Sequence, residues 1–191
     1  GEWPPFVALT ALEHFNAYGS YLEGPLQPIR SLVKLTFLSL GANMLSGPLD
    51  GVENLTNLKE LRLYRNKLSG SLGVLNALQK HLYYVSLQQN QLSGSLGGVS
   101  KLVNLRFLQI GKNRLTGSLQ PLHGLHRLTD VRLEQNNLKG PISYLANLDN
   151  MAYLRLADNF LNGTVDALKH CKNLVYLNLR NNKFTGSLYN V

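Results

Sequence analysis

Cysteine is nearly absent: the 191 residues include only Cys171, so no disulfide can form within the chain. Long apolar runs are missing as well. No stretch approaches the roughly 18 consecutive apolar residues that suggest a membrane-spanning helix. The first residues also lack the basic and then apolar order of a signal peptide. The sequence therefore predicts no membrane span, and it offers no disulfide framework as a source of stability.

Groupings of catalytic or metal-binding side chains are also lacking. His123 and His126 lie close together, but no cysteine or carboxylate stands beside them, as a metal site would require. Asp158 and Arg155 share a predicted face without a nucleophile that a base could activate. No glycine-rich loop of the phosphate-binding type occurs. We therefore predict a protein that is not an enzyme and that uses no cofactor or metal.

Acidic residues are scarce. Eleven aspartates and glutamates stand against nineteen lysines and arginines, which gives a formal net charge of +8. The excess is uneven, because residues 1–60 hold three basic and six acidic side chains, whereas residues 61–191 hold sixteen and five. A basic surface of this kind favours an acidic partner surface or a polyanion.

One repeated pattern accounts for most of the chain. Residues 105–119 read L-x-x-L-x-L-x-x-N-x-L-x-G-x-L, and the pattern returns every 23 residues with a single step of 24. Its asparagines are Asn43, Asn66, Asn90, Asn113, Asn136, Asn159 and Asn182. A fixed period of this length is typical of a solenoid, in which each coil stacks on the next to complete a continuous core.

The chemistry of one repeat predicts its shape. Leu108 and Ile110 alternate with polar residues, which indicates a short half-buried strand. An asparagine amide has two donor hydrogens and an acceptor, so it suits a turn that would otherwise bury unpaired backbone groups. We therefore predict a structural ladder of stacked asparagines. The three-residue spacing of Leu122, Leu125 and Leu128 predicts a short 3₁₀ return.

The pattern resembles that of leucine-rich repeat proteins, and the L-x-G-x-L segment is most similar to the plant-type class. Two features depart from that class: no proline follows the last apolar residue of any repeat, and the period is 23 instead of 24. The resemblance implies a fold that is α/β by convention. It is a right-handed horseshoe or superhelix, with a concave parallel sheet of short strands and 3₁₀ or irregular returns on the convex side.

The repeats predict a single domain over residues 1–191. Residues 1–34 form an N-terminal cap and a degenerate first coil, in which Ser20 replaces the asparagine and the apolar residues 3–6 cover the core. Seven repeats follow over residues 35–188. The C-terminal cap is absent, so we predict an open core at that end, where copies of the chain could associate end to end.

The outward side chains of the predicted strands are rich in aromatic residues and arginine. Such residues dominate binding hot spots, because they bury a large area at a modest entropic cost. Aromatic residues also suit strands for structural reasons, which is the alternative explanation. The predicted partner-binding residues are Phe37, Arg62, Tyr64, Arg65, Tyr84, Phe107, Lys112, Arg132, Tyr153, Arg155, Tyr176 and Arg180.

Three functions fit this surface. The first is a non-catalytic module for protein–protein recognition that forms part of a larger protein, which the resemblance also implies. Its partner would be a protein or peptide of acidic character. The second is binding of a polyanion, nucleic acid or acidic polysaccharide, with an affinity that falls steeply as salt rises. The third is a structural or ice-binding role based on stacked serines and threonines, although Pro48, Lys139 and Pro141 interrupt that array.

The cysteine count bears on location. Extracellular leucine-rich repeat proteins, which this sequence resembles, usually close their ends with cysteine pairs. The lone Cys171 therefore favours an intracellular location. An extracellular location stays open if the chain is an excerpt of a receptor-like protein.

Overall fold

The computed structural model describes residues 9–186, which form a stack of eight coils. The predicted cover at residues 3–6 and the last apolar repeat position, Leu188, lie outside the described residues. Each coil contributes one short strand to a parallel eight-stranded sheet, and the strands follow one another in chain order. With all strands numbered along the chain, these are β1 (His14–Asn16), β3 (Phe37–Ser39), β5 (Glu60–Arg62), β7 (Tyr84–Ser86), β9 (Phe107–Gln109), β11 (Asp130–Arg132), β13 (Tyr153–Arg155) and β15 (Tyr176–Asn178).

A second short strand follows the turn in each coil, and these strands pair into three smaller parallel sheets. The first contains β2 (Glu23–Gly24), β4 (Met44–Gly47) and β6 (Lys67–Leu68), the second β8 (Ser93–Gly94) and β10 (Arg114–Leu115), and the third β12 (Lys139–Pro141), β14 (Phe160–Thr164) and β16 (Lys183–Thr185). The returns contain 3₁₀ helices at Gln27–Ser31, Val52–Asn54, Gly73–Leu78, Leu96–Val99, Gln120–Leu122, Ile142–Leu145 and Val165–Leu168. The predicted repeat solenoid, with parallel strands and 3₁₀ returns, is confirmed.

The core is a continuous column of aliphatic side chains along the stack. The repeat places its leucines at the same inward positions in successive coils, and nearly all of them are fully buried. Cys171 occupies one of these positions and is buried, with its thiol 3.7 Å from the carbonyl oxygen of Leu145. Burial raises the pKa of this thiol, so Cys171 is a small core residue rather than a reactive one.

The asparagine of each repeat joins two coils. The side-chain oxygen of Asn113 accepts a hydrogen bond from the backbone N–H of Leu92 in the preceding coil at 2.9 Å. Its amide nitrogen donates to the carbonyl of Leu87 in that coil at 3.0 Å, and to the carbonyl of Ile110 in its own coil at 3.1 Å. The six other repeat asparagines bond in the same two ways. One side chain thus closes the turn and fixes the stacking.

The residue before each of these asparagines has a left-handed backbone. Its φ lies between 53° and 58° in all seven repeats, although none of the seven residues is glycine. They are Ala42, Arg65, Gln89, Lys112, Gln135, Asp158 and Asn181. This conformation costs about 1 kcal/mol or more per residue. Its recurrence means that the asparagine bonds offset a strain that every repeat contains.

The glycine of each L-x-G-x-L segment allows close stacking at a second bend. Gly117 has φ +81°, and a Cβ atom there would lie 3.3 Å from the Cβ of Ser95 in the preceding coil. The left-handed backbone and the short separation both favour glycine.

The C-terminal coil is less covered than the others. Val175 is 76% exposed and Leu177 is 38% exposed, whereas Leu154, which occupies the position of Leu177 in the preceding coil, is fully buried. Within residues 9–186 the core is therefore least covered in this coil.

Replacing Asn113 by alanine tests the asparagine bridge. The variant leaves the N–H of Leu92 without its partner, at a cost of about 1–3 kcal/mol. The carbonyls of Leu87 and Ile110 each lose one bond and keep another, from Asn90 and Asn136. For a chain of this size, that cost lowers the thermal midpoint by roughly 2–12 °C. The matched control is Asn137→Ala, because Asn137 is exposed and its side chain makes no hydrogen bond within residues 9–186. Equal melting of the two variants would disprove the bridge.

Candidate binding site on the concave face

The strand register aligns the predicted surface residues in columns across the sheet. The first residue of each strand pairs with the first of the next, and the third residues pair likewise. We call the outward surface of this sheet, with the turn residues that follow the strands, the concave face. The structure places eight of the predicted residues on its strands: Phe37, Arg62, Tyr84, Phe107, Arg132, Tyr153, Arg155 and Tyr176. Tyr64, Arg65, Lys112 and Arg180 follow the strands in the turns.

A stacked group, which we call the central cluster, is formed by Phe37, Arg62, Tyr84 and Phe107. The Arg62 guanidinium carbon lies 4.5 Å from the ring centroid of Tyr84 and 5.4 Å from that of Phe37. The Tyr84 and Phe107 rings are 5.3 Å apart and tilted. These cation–π and aromatic contacts hold the four side chains before any partner arrives.

Glu60 holds the arginine of the central cluster in place. Its carboxylate accepts a hydrogen bond from Arg62 at 2.6 Å and another from the hydroxyl of Tyr83. The bond to Glu60 raises the pKa of Tyr83, and burial adds to this effect. Glu60 thereby fixes the guanidinium between its two rings.

An aspartate–arginine pair lies in β11, next to Phe107 of the central cluster. Asp130 is buried and accepts hydrogen bonds from Nε and Nη2 of Arg132 at 2.9 and 2.7 Å. Bonding to Asp130 raises the pKa of Arg132. This two-pronged pair has the geometry that suits guanidinium and carboxylate groups.

The pairing changes the predicted charge of the concave face. The sequence suggests a basic surface with free arginines, but Arg62 and Arg132 each bond to a carboxylate in their own strand, and Arg180 lies 3.8 Å from Asp158. Arg65 donates to the side chain of Gln89 at 2.7 Å. Much of the positive charge counted from the sequence is therefore locally balanced, and the face is mixed in charge.

A second aromatic group lies toward the C-terminal end of the sheet. Tyr153 and Tyr176 are 41% and 39% exposed, and the guanidinium of Arg155 lies 4.6 Å from the Tyr176 ring centroid. Nε of Arg155 and Oε2 of Glu134 are buried without a hydrogen-bond partner among the described residues. Nε of Arg62 in the central cluster is buried without a partner among these residues as well.

Two glycines of the concave face make room for large neighbours, a role that the sequence analysis missed. A Cβ atom at Gly41 would lie 2.8 Å from the Tyr64 ring, and one at Gly111 would lie 2.8 Å from the Glu134 carboxyl carbon. Tyr64 thus lies over Gly41, and burial raises its pKa. The available signal was the pairing of a glycine with a large residue in the same column of the next coil.

Some outward strand residues are buried, which the alternating pattern did not predict. Ser39, Ser86 and Gln109 are almost inaccessible because the longer side chains beside them cover the middle of the sheet. Gln109 bonds weakly to Tyr84 and Asp130, at 3.5 and 3.4 Å. Polar residues at these positions therefore support the side chains of the binding face and are not themselves available to a partner.

The hydroxyl array considered for an ice-binding role is discontinuous. The second strands form three separate sheets, and prolines at 25, 48 and 141 occupy the positions at which Ser71, Ser95 and Ser118 carry hydroxyls. A flat, uniform surface does not result.

Residues 9–186 contain no group of three histidine, cysteine or carboxylate side chains that could hold a metal ion. No helix in the same range is long and apolar enough to cross a membrane.

Comparison with known proteins gives the family. The Leucine Rich Repeat family model matches residues 173–190. Among solved structures, the plant peptide hormone receptor RGFR1 in complex with RGF2 is 29% identical over 98% of this chain, with a TM-score of 0.91. The chain is a leucine-rich repeat protein. Its repeats are of the plant type, as their L-x-G-x-L segments predicted.

Two further leucine-rich repeat structures are similar. The Arabidopsis receptor kinase HAESA, solved with the peptide hormone IDA and the co-receptor SERK1, is 27% identical over 97% of this chain with a TM-score of 0.87. A plant ice-binding protein is 28% identical over 97% of this chain, and the match covers 61% of that protein, again with a TM-score of 0.87. A search of curated protein sequences finds no match. The chain spans about a third of each receptor, 31% of RGFR1 and 32% of HAESA.

Replacing Lys112 by glycine tests the backbone strain of the turn separately from the surface role of its side chain. Because its φ is +57°, Lys112→Gly relieves left-handed strain and stabilises the protein by up to about 1 kcal/mol, even though it removes a predicted contact. Arg114→Gly is the control, since Arg114 is an exposed residue of β10, where glycine destabilises by roughly 0.5–1 kcal/mol. Thermal melting distinguishes them. A Lys112→Gly variant that melts below Arg114→Gly would contradict the strain described for this turn.

Proposed function

We propose that this leucine-rich repeat chain is a non-catalytic recognition module that binds an extended peptide, or a loop of a partner protein, across its concave face. The observation that carries the proposal is the central cluster, in which Arg62 is held between the rings of Phe37 and Tyr84. The similar structures include a plant peptide hormone receptor, RGFR1, in complex with RGF2, and HAESA in complex with the peptide hormone IDA, which supports a peptide or protein partner here.

The ordered side chains favour tight binding. Binding normally costs about 0.5–1.5 kcal/mol for each flexible side chain that becomes fixed. Tyr84, Phe107 and Arg62 are already fixed by contacts with one another, so this cost is largely absent. Aromatic and arginine anchors of this kind dominate hot spots.

The length of the face limits the size of the partner segment. Phe37 and Tyr176 lie six strands apart, which is about 29 Å at the spacing of paired strands. A fully extended chain covers this distance with roughly nine residues. A short peptide could therefore touch both the central cluster and the exposed tyrosines near Arg155.

The partner chemistry that fits is mixed rather than uniformly acidic. Arg155 and Glu134 are both partly exposed, so the guanidinium can donate to a carbonyl or carboxylate oxygen and the carboxylate can accept from a donor. We propose a peptide that presents an acceptor and a donor close together at this end. Polyanion binding on the concave face is disfavoured, because Asp130 and Glu60 occupy two of its arginines.

An extracellular location fits this proposal better than the intracellular one that the lone cysteine favours. One of the similar structures is the ectodomain of a plant membrane receptor kinase, solved with a CASPARIAN STRIP INTEGRITY FACTOR. A peptide-binding role as part of a receptor would need the same exposure.

A paired substitution tests the proposal. We expect Tyr84→Ala with Arg155→Ala to weaken peptide binding by about 2 kcal/mol or more, roughly thirty-fold, because one anchor is lost in the central cluster and one toward the C-terminal end of the face. The peptides come from a displayed random library selected on the parent chain, and affinities are measured by titration calorimetry. Since Tyr84 is half-buried, the variant also loses about 1 kcal/mol of stability while its fold is unchanged.

The matched control is Lys101→Ala with Lys169→Ala, two exposed residues outside the concave face. This variant should bind the selected peptides like the parent. If the control pair weakens binding and the concave pair does not, the partner binds another surface and the proposal is wrong.

A further inference from the structure

A row of basic side chains lies along the edge of the sheet at which the strands begin. Five exposed residues from five consecutive coils make up this row, which we call the basic edge: Lys34, Lys59, Lys80, Arg106 and Arg127. At the strand spacing of about 4.8 Å, the row spans roughly 19 Å. His81 lies beside Lys59 in the same row.

The basic edge differs from the concave face in that its charges are not balanced. Among residues 9–186, no ion pair joins any of the five side chains to a carboxylate. Glu13 lies at one end of the row beside Lys34, and Glu60 is bonded to Arg62 and Tyr83 instead. A linear, uncompensated positive potential results, which attracts anions.

The floor of the basic edge is a second ladder of asparagine amides, which the sequence analysis missed. Asn57 and Asn104 each donate to a carbonyl 24 residues earlier, those of Val33 and Lys80, at 3.0 Å. Asn150 and Asn173 do the same in later coils, at 2.8 Å. The signal in the sequence was an asparagine directly before the first apolar residue of these repeats.

The ladder also positions one of the charges. Nη1 of Arg127 donates to the side-chain oxygen of Asn104 at 2.7 Å, while the amide nitrogen of Asn104 is held by the carbonyl of Lys80. Arg127 is therefore fixed along the groove that Lys80, Arg106 and Tyr83 also line.

From this arrangement we infer that the basic edge binds a linear acidic polysaccharide. One cation per coil suits a polymer that carries carboxylate or sulfate groups at regular intervals. The amide nitrogen of Asn57 and the hydroxyl of Thr36 already donate to the carbonyls of Val33 and Glu13, and their side-chain oxygens can accept hydrogen bonds from sugar hydroxyls. Single-stranded nucleic acid fits less well, because its bases need aromatic platforms. Tyr83 and His81 are the aromatic side chains that line the two described hollows of this edge, and Glu60 already engages the Tyr83 hydroxyl.

Two variants of equal charge test this inference. The edge variant combines Lys34→Gln, Lys59→Gln, Lys80→Gln and Arg106→Gln, whose side chains make no hydrogen bonds within residues 9–186. The control variant combines Lys67→Gln, Arg114→Gln, Lys139→Gln and Lys183→Gln, which lie on the opposite side of the stack in the second strands. Each lowers the net charge from +8 by four, to +4.

The probe is an oligogalacturonate long enough to span the edge, with binding measured by calorimetry over a series of salt concentrations. We expect the edge variant to lose affinity about tenfold or more at low salt. We also expect its slope of log affinity against log salt to be smaller by roughly 3, because four fewer counterions are released at about 0.7 each for a single strand. The control variant should bind nearly like the parent.

Two outcomes would overturn the inference. Equal losses in the edge and control variants would show attraction by net charge alone. Tighter binding of single-stranded DNA with the same number of charges than of the oligogalacturonate would show that the edge serves nucleic acid. Neither outcome bears on peptide binding by the concave face, since none of the substituted residues belongs to it.

Discussion

The asparagine bridge is the interaction on which the rest of this structure depends. Each repeat turns sharply out of the sheet through a left-handed residue that is not glycine, and this turn buries backbone groups that need partners. The amide of the next residue bonds to both its own coil and the preceding one, as Asn136 does with Leu133, Ile110 and Leu115. Because one side chain closes the turn and sets the stacking, the strand register, the buried leucine column and the surface columns all follow from its repetition.

A fixed register gives the surface two different chemistries. On the concave face, acidic and basic residues occur in the same strands, so Arg62 and Arg132 are neutralised and held in place. On the basic edge, lysines and arginines recur without ion pairs to carboxylates among residues 9–186, so their charge stays available. The first surface suits a specific contact through ordered aromatic anchors, and the second suits a repeated anion. A single repeat with a few variable positions thus produces both.

The sequence was sufficient for the fold and for the membership of each surface column, because the 23-residue period leaves little freedom of register. It could not show which arginines are free. Arg132 bonds to Asp130, two residues away in the same strand, and this pairing follows only from side-chain conformations. The burial of Gln109 likewise depends on the length of its neighbours. The roles of Gly41 and Asn104 could have been predicted from the sequence. Gly41 occupies the same column as Tyr64 in the next coil, and Asn104 belongs to a second asparagine position that recurs between coils. Both required a comparison between coils rather than within one.

Hydrogen exchange of the backbone amides that donate to the asparagine oxygens tests the account most directly. These include the N–H groups of Leu92, Leu115 and Leu161, bonded at 2.9 to 3.0 Å. If the bridges hold the coils together, Leu92 and Leu115 in the middle of the stack exchange only on global unfolding, and Leu161 near the less covered end exchanges faster. Exchange at Leu92 and Leu115 as fast as in exposed loops would contradict the account.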